Sequence, residues 1–252
     1  MSSNSFSLEG KVALVTGANT GLGQGIAVSM AEAGADIAVA GFVPPTETEA
    51  LVKKSGRRFL SIDANLISIE PCTRIVDETV KTFGRIDILV NNAGIIRRCD
   101  SVDFSEKDWD DVININLKSL FFMCQTAGRP MIKQGSGKII NICSMLSFQG
   151  GIRVPSYTAA KSGVAGLTRL LANEWASKNV NVNGIAPGYM ATDNTKALRA
   201  DEKRSAEILG RIPAGRWGTP ADVGGTAVFL ASSAADYLHG AIIPVDGGWM
   251  AR

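Results

Sequence analysis

The sequence predicts one α/β domain, residues 1–252, with a doubly wound parallel sheet of about seven strands and helices on both faces. Two observations lead to this fold class. Short apolar runs alternate with helical stretches along the whole chain, which is the order that repeated strand–helix–strand crossovers produce. The apolar runs are continuous rather than alternating with polar residues, as expected for strands that helices cover on both faces.

Each predicted strand is a short apolar run between polar or glycine-containing segments. In chain order the predicted strands are Lys11–Thr16, Asp36–Gly41, Arg58–Ile62, Ile86–Val90, Lys138–Cys143, Val180–Ala186 and Ala241–Val245. The longer stretches between them have apolar residues at helical spacing. The predicted helices are Gly21–Gly34, Thr46–Gly56, Ser68–Phe83, Ser105–Lys133, Ser156–Ser177, Thr195–Leu209 and Pro220–Ser232. We expect Ser68 to cap the third helix and the long fourth region to contain a break.

Charge and hydropathy exclude several classes of protein. The net charge of +2, from 26 basic and 24 acidic residues, indicates no general basic surface for nucleic acid. No apolar run approaches the roughly 20 residues of a membrane span. The polar segment Met1–Gly10 lacks the basic start and apolar core of a signal peptide. We therefore expect a cytoplasmic protein with neither nucleic acid nor a membrane as partner.

The cysteines and the histidine form no metal-binding pattern. Cys72, Cys99, Cys124 and Cys143 include no Cys-x-x-Cys pair, and the single histidine, His239, has no second ligand at a suitable spacing. We interpret the cysteines as small buried side chains and expect no metal site.

A glycine-rich loop joins the first predicted strand to the first predicted helix. Gly17, Gly21 and Gly23 allow the backbone to turn tightly and to approach a ligand closely. The following helix offers unpaired N–H groups and the positive end of its dipole to a pyrophosphate. Such a cluster can be a merely structural turn, but its place between a strand and a helix favours dinucleotide binding in a Rossmann-type domain.

Three residues at and after the fifth predicted strand form a candidate catalytic group. Ser144 follows that strand, and Tyr157 and Lys161 lie four residues apart on one face of the next helix. A free tyrosine has a pKa of about 10, and a nearby ammonium group and an oxidised nicotinamide favour its phenolate. We interpret Tyr157 as the acid/base of hydride transfer, activated by Lys161, and Ser144 as a ligand of the substrate oxygen.

These motifs together resemble those of the short-chain dehydrogenase/reductase family over essentially the whole chain. They are the Gly-x3-Gly-x-Gly spacing, Asn91-Asn92-Ala93-Gly94 after the fourth strand, and Ser-x12-Tyr-x3-Lys. The resemblance implies that the backbone carbonyl of Asn116 completes a catalytic tetrad, with Asn114 as the competing candidate. It also implies a set of cofactor contacts: Gly17, Asn19, Thr20, Gly21, Leu22, Gly23, Phe42, Asp63, Ala64, Asn91, Ala93, Gly94, Tyr157, Lys161, Pro187, Gly188, Met190 and Thr192.

The end of the second predicted strand bears on the choice of cofactor. An acidic residue there would bind the 2′-hydroxyl of NAD, but the sequence has Ala40-Gly41-Phe42-Val43. It has no arginine at this point, and Thr20 is neutral at a position that is often basic in NADP-binding members of the family. The basic residues further on resemble a solvated helix end: Lys53, Lys54, Arg57 and Arg58. We expect NAD as the cofactor, with NADP left open.

Arginines after strand ends favour an anionic substrate, because a guanidinium group binds a carboxylate in a bidentate way. Polar neighbours suit hydroxyl groups and therefore a sugar acid. The predicted substrate-binding residues are Arg97, Met145, Gln149, Arg153 and Asn194. Arg153, four residues before Tyr157, is the first candidate for the carboxylate, and a segment at about residues 189–216 is the expected lid.

The loops at residues 95–98, 144–157 and 211–218 resemble those of family members that interconvert a hydroxyl group and a ketone on deoxy-sugar acids. Two alternatives stay open: another reductase of the family, such as one for 3-oxoacyl thioesters, and a dinucleotide-binding regulator without catalysis. The presence of Ser144, Tyr157 and Lys161 speaks against the regulator. The resemblance also implies a homotetramer, a common assembly in the family.

Overall fold

A computed structural model describes residues 5–251, so that Met1–Asn4, where the polar N-terminal segment begins, and Arg252 lie outside the described residues. Seven parallel strands form one sheet in the order β3-β2-β1-β4-β5-β6-β7. They are β1 Val12–Thr16, β2 Asp36–Gly41, β3 Phe59–Asp63, β4 Ile88–Asn91, β5 Gly137–Ile142, β6 Val180–Pro187 and β7 Ile242–Val245. The chain builds outward from β1 to one edge, returns to β4 and builds to the other edge, which confirms the predicted doubly wound sheet.

Helices cover both faces of this sheet. They are α1 Gly21–Glu32, α2 Thr46–Lys54, α3 Cys72–Phe83, α4 Glu106–Ile113, α5 Leu120–Gln134, α6 Pro155–Trp175, α7 Lys196–Ala200, α8 Glu202–Arg211 and α9 Pro220–Ala231. One buried apolar cluster joins the sheet to α1, α2 and α9, and a second joins it to α3, α5 and α6. Because both faces are buried, the strands needed continuous apolar runs rather than alternation.

The third helix begins later than the sequence predicts, at Cys72, and Ser68 does not cap it. Pro71 precedes the helix, and a proline disfavours helical backbone at the residue before it, here Glu70. The backbone carbonyl of Ser68 instead accepts a hydrogen bond of 3.3 Å from Oγ of Ser119. The expectation of a helix start and cap at Ser68 was therefore wrong.

Two predicted helices are interrupted. The long region after Ser105 consists of α4, a π-helical turn at Asn114–Ser119 and α5, so the expected break is a change of helical winding. The predicted helix Thr195–Leu209 is two helices, α7 and α8. Asp201 between them has extended backbone, and its carboxylate accepts a 3.0 Å hydrogen bond from the N–H of Arg204 as the cap of α8.

Within residues 5–251 no helix has both the length and the apolar character needed to cross a membrane. The same residues include no group of three or more His, Cys, Asp or Glu side chains placed to hold a metal ion. All four cysteines are free thiols, and those at positions 72, 124 and 143 are buried.

Candidate active site

A cleft of about 1200 Å³ lies beyond the carboxyl ends of the strands. Its walls come mainly from the segments that follow β1 to β5, which is where parallel α/β sheets bind ligands. The segment after β6, including α7 and α8, forms the remaining wall. Most of the residues that the sequence singles out meet in this cleft: Gly17, Asn19, Thr20, Gly21, Leu22, Gly23, Phe42, Ala64, Ala93, Gly94, Ser144, Met145, Gln149, Arg153, Tyr157, Lys161, Pro187, Gly188, Met190, Thr192 and Asn194.

The glycine loop has the shape that its residues require. Gly17 has a φ of +64°, and a Cβ atom there would lie 2.9 Å from Cα of Ala93. A Cβ atom at Gly23 would collide with the side-chain amide of Asn92. The side chain of Thr20, the residue before α1, makes no capping hydrogen bond. The first N–H groups of α1 are therefore left without a side-chain partner at the cleft.

Asn91, the last residue of β4, and Asn92 after it hold neighbouring elements together. Nδ2 of Asn92 donates to the carbonyl oxygens of Thr16 at 3.0 Å and Gly17 at 2.8 Å, which fixes the glycine loop against β4. Asn91 is buried and does not line the cleft. Its Nδ2 donates to Oδ1 of Asn141 on β5 at 2.9 Å and to Sγ of Cys124 on α5 at 3.1 Å, so it joins β4 to β5 and to the helix packed on them.

Phe42, at the end of β2, is 72% exposed and lines the cleft. Asp63, the last residue of β3, is exposed and is not among the lining residues, whereas the buried Ala64 after it is. This end of the cleft, from Asn19 and Thr20 to Phe42 and Ala64, is lined by neutral residues.

Ser144 begins a short helical turn directly after β5. Its Oγ accepts a hydrogen bond of 3.2 Å from the N–H of Leu146. Oγ of Ser147 accepts one of 3.3 Å from the N–H of Ser144 and donates one of 2.7 Å to the carbonyl oxygen of Lys161. Ser147 thus connects two of the predicted catalytic residues, although no feature of the sequence singled it out.

Tyr157 lies in the first turn of α6, facing Ser144. Burial raises the pKa of its phenol, while a hydrogen bond with Ser144 and the positive charge of Arg98 act in the opposite direction. The protein alone therefore holds the phenol in its neutral form.

Lys161 is 4% exposed and lies one helical turn after Tyr157. Its Nζ is 5.6 Å from the centroid of the Tyr157 ring and donates a 2.6 Å hydrogen bond to the carbonyl oxygen of Ile142. Burial lowers the pKa of Lys161 to about 8. The lowered pKa still lies above neutral pH, so the side chain remains mainly an ammonium cation there.

Asn116 is fully buried in the π-helical turn and does not line the cleft. Its Oδ1 accepts from the N–H of Ile95 and its Nδ2 donates to the carbonyl oxygen of Ile95, both at 2.9 Å. The side chain thereby fixes the segment that leads from β4 to Arg98.

The segment after β6 packs on the C-terminal residues. The ring of Tyr189 lies 4.8 Å from that of Trp249 and 5.6 Å from that of Trp217. Thr192 begins a short turn in which its N–H donates to Oγ1 of Thr195 at 3.2 Å. This packing holds the predicted lid over one side of the cleft.

The structure separates the arginines that the sequence grouped together. Arg97 points to α4, where it pairs with Asp108 at 3.2 Å and Asp111 at 3.8 Å, and it does not line the cleft. Its neighbour Arg98 does line the cleft. Arg153 lines it too, with a φ of +64° and an ion pair of 2.9 Å to Asp100. Alternate residues after a strand can point to opposite sides, so the sequence alone could not choose between Arg97 and Arg98.

Comparison with known proteins places this chain among oxidoreductases. The family model described as enoyl-(acyl carrier protein) reductase matches residues 17–250. The chain is 66% identical over 250 residues to 2-dehydro-3-deoxy-D-gluconate 5-dehydrogenase of Escherichia coli (strain K12), covering 99% of both chains. It is also 66% identical over 250 residues to the enzyme of the same name from Dickeya dadantii (strain 3937), again covering 99% of both chains.

A solved structure has the same architecture. It is a candidate 2-deoxy-D-gluconate 3-dehydrogenase from Agrobacterium tumefaciens with bound NADP. The two chains are 58% identical and superpose with a TM-score of 0.94, covering 99% of this chain and 100% of the other.

Proposed function

Because this chain belongs to the short-chain dehydrogenase/reductase family, we propose that its cleft oxidises and reduces a sugar acid with a nicotinamide dinucleotide. The chain is an oxidoreductase that interconverts a secondary hydroxyl group and a ketone on a deoxy-sugar acid. By similarity to its relatives, the reaction is that of 2-dehydro-3-deoxy-D-gluconate 5-dehydrogenase or 2-deoxy-D-gluconate 3-dehydrogenase.

One observation carries this proposal: Ser144, Tyr157 and the buried Lys161 meet in one cleft, with Nζ of Lys161 5.6 Å from the centroid of the Tyr157 ring. In this arrangement both oxygens can contact one substrate oxygen. Tyr157 then takes the hydroxyl proton during oxidation and returns it during reduction, while Ser144 holds that oxygen in place. The carbon-bound hydrogen leaves as hydride, so that an alcohol becomes a ketone and one proton is released.

Lys161 and its partners prepare Tyr157 for this role. When oxidised cofactor is bound, it supplies the hydride acceptor and a positive charge near the phenol. Lys161 adds a second cation one turn away, and Arg98 a third, so that they counteract the burial that keeps Tyr157 neutral. We propose that Asn116 completes the group through its backbone carbonyl, as the family resemblance implies.

The residues at the other end of the cleft fit a dinucleotide. The uncapped first turn of α1 offers N–H groups to a pyrophosphate, and Gly17 and Gly23 let the loop pack closely against Ala93 and Asn92. We propose that Phe42 and Ala64 border the adenosine, and that Gly188 and Thr192 border the nicotinamide. Asp63 and Asn91 lie outside the cleft wall. We propose that they contribute to cofactor binding through their backbone or by holding the strands in place.

The choice between NAD and NADP belongs to the same proposal. The sequence favours NAD because no cation faces the 2′ position, whereas the Agrobacterium tumefaciens relative holds NADP. The adenosine end has neither a carboxylate to repel a 2′-phosphate nor an arginine to bind it. We therefore propose that the chain uses both cofactors, with values of kcat/KM within about tenfold of each other.

The substrate side of the cleft is polar and cationic. Arg98 and Tyr157 both line the cleft, and the positive charge of Arg98 acts to lower the pKa of that phenol. We propose that Gln149 and Asn194 contact substrate hydroxyl groups and that Met145 packs against the carbon chain. Arg153 lines the same wall, but its guanidinium is engaged by Asp100.

One experiment tests the function directly: reduced nicotinamide is followed by absorbance with 2-dehydro-3-deoxy-D-gluconate, 2-deoxy-D-gluconate and a 3-oxoacyl thioester, each with NAD and NADP forms. We expect turnover of a sugar acid and little of the thioester. Faster turnover of the thioester would favour the related reductase activity instead. Tight cofactor binding without turnover of any substrate would favour a regulator.

We also propose that the chain assembles as a homotetramer. The edge strand β7 leaves Ile242 and Ile243 half-buried and Pro244 exposed, and Leu170 on α6 is exposed, so apolar surface is available to another copy. Light scattering tests this by a mass of about four times the 26.6 kDa of one chain. A cytoplasmic location stays a prediction from the sequence.

A further inference from the structure

A cation on the lid faces the cleft without a carboxylate partner. Arg211 is the last residue of α8 and lines the cleft together with Trp249. Its guanidinium carbon lies 3.9 Å from the centroid of the Trp249 ring. Stacking on an aromatic face fixes the plane of a guanidinium group and leaves its N–H edges open to a ligand.

Trp249 is a rigid support for this arginine. It is 5% exposed and packs in an apolar cluster with Met145, Ile208 and Ile212. Within residues 5–251 its indole Nε1 is buried and has no hydrogen-bond partner. The residue therefore combines a fixed ring with an unused donor at the wall of the cleft.

The other charges of the lid wall do not compensate Arg211. Glu207, one helical turn before it, pairs with Arg204 at 2.9 Å. The remaining acidic residue of the lid in the cleft wall, Asp193, lies in the turn near the beginning of the segment. In the described part of the chain, no carboxylate lies within ion-pairing distance of Arg211.

We propose that Arg211, held on the ring of Trp249, binds the carboxylate of the sugar-acid substrate while the reacting hydroxyl lies at Ser144 and Tyr157. This inference rests on the proposed function and adds where the acid end of the substrate lies. In a six-carbon acid oxidised at carbon 5, four carbon–carbon bonds separate the carboxylate from the reacting carbon. The two ends therefore need different walls, and the lid wall carries the free guanidinium.

The test compares the acid with its neutral carboxamide, which keeps the shape and loses the charge. We expect Arg211→Gln to lower kcat/KM for the acid by about 30- to 100-fold and for the carboxamide by less than about threefold. Trp249→Leu removes the support and should raise KM for the acid by about tenfold, whereas Trp249→Phe keeps most of the stacking and should have a smaller effect. The dissociation constant of reduced cofactor, measured by its fluorescence, should stay the same.

Lys203→Gln is the matched control, since it removes one positive charge from the same helix at a position outside the cleft wall. It should leave both substrates unaffected. Equal losses for acid and carboxamide in Arg211→Gln, or no loss, would overturn the assignment of Arg211 while wild-type turnover of sugar acids keeps the proposed function. Absence of wild-type turnover with every sugar acid would overturn both.

Discussion

Nζ of Lys161 donates a 2.6 Å hydrogen bond to the backbone carbonyl of Ile142, the last residue of β5. This contact fixes a buried ammonium group at the end of the strand that precedes Ser144. Lys161 is thereby held at a set distance from the Tyr157 ring and cannot swing to solvent. The structure keeps a cation where burial makes it costly, which is typical of a functional site rather than of a core.

The burial of Lys161 should appear in the pH dependence of stability. Its pKa is lowered to about 8 in the folded chain, below the 10.5 of an ordinary lysine. Between these two pH values Lys161 binds more protons in the unfolded chain than in the folded chain, so it makes the free energy of unfolding rise with pH. Below pH 8 the cost of burying the charged side chain is fully present. In Lys161→Met this rise is absent. Denaturant titrations from pH 7 to 10 should show the wild type gaining roughly 2 kcal/mol relative to the variant, and parallel profiles would contradict a lowered pKa.

Replacement of Tyr157 by Phe should remove catalysis and keep cofactor binding. The variant loses the hydroxyl that we propose exchanges a proton with the substrate oxygen, and we expect kcat to fall about a thousandfold. Steady-state rates measure the first effect, and fluorescence titration with reduced cofactor measures the second. Residual turnover near the wild-type rate would show that another group transfers the proton.

Arg98 and Arg97 form a matched pair of neighbouring arginines. Arg98 lowers the pKa of Tyr157, so Arg98→Gln should shift the acidic limb of the pH profile for alcohol oxidation to higher pH and lower kcat/KM about tenfold at neutral pH. Arg97→Gln removes partly exposed ion pairs with Asp108 and Asp111 outside the cleft wall and should change kcat/KM by less than about threefold. The reverse order of effects would restore Arg97 as the substrate-side residue.

Replacement of Gly23 by Ala should weaken cofactor binding. The new methyl group collides with the amide of Asn92 and the carbonyl of Gly17, so the loop must move away from its position on β4. We expect a loss of about 1–3 kcal/mol in stability and at least about a tenfold higher dissociation constant for the cofactor. Gly225→Ala is the control, because a Cβ atom there meets open space in α9. Cofactor titrations measure the dissociation constants of both variants. Equal values for Gly23→Ala and Gly225→Ala would show that the loop tolerates the added methyl group.

The positions of the strands along the chain and their parallel arrangement could be predicted, because strands buried on both faces are continuous apolar runs. All seven predicted strands overlap those of the structure, and β2 has the predicted bounds. Helix ends were less predictable, since they depend on single backbone positions. The start of α3 at Cys72 depends on Pro71, and the break before α8 depends on a cap at Asp201.

Residues of the candidate site could be predicted where spacing along an element fixes direction. Tyr157 and Lys161 share a face because they are one helical turn apart in α6. Loop residues have no such period, so Arg97 was chosen where Arg98 faces the cleft. Ser147 acts through Lys161, a partner distant in sequence, and no local pattern announces it.

The clamp of Asn116 on Ile95 has a consequence for how this scaffold can be altered. Both hydrogen bonds engage only the backbone of Ile95, so they hold the path of the segment after β4 whatever side chains it carries. The side chains of Ile95 and Ile96, which both line the cleft, can therefore be exchanged while Asn116 and Arg98 are kept. Directed evolution toward other acid substrates can begin at these positions, since changing their side chains leaves the hydrogen bonds that anchor the segment to Asn116 in place.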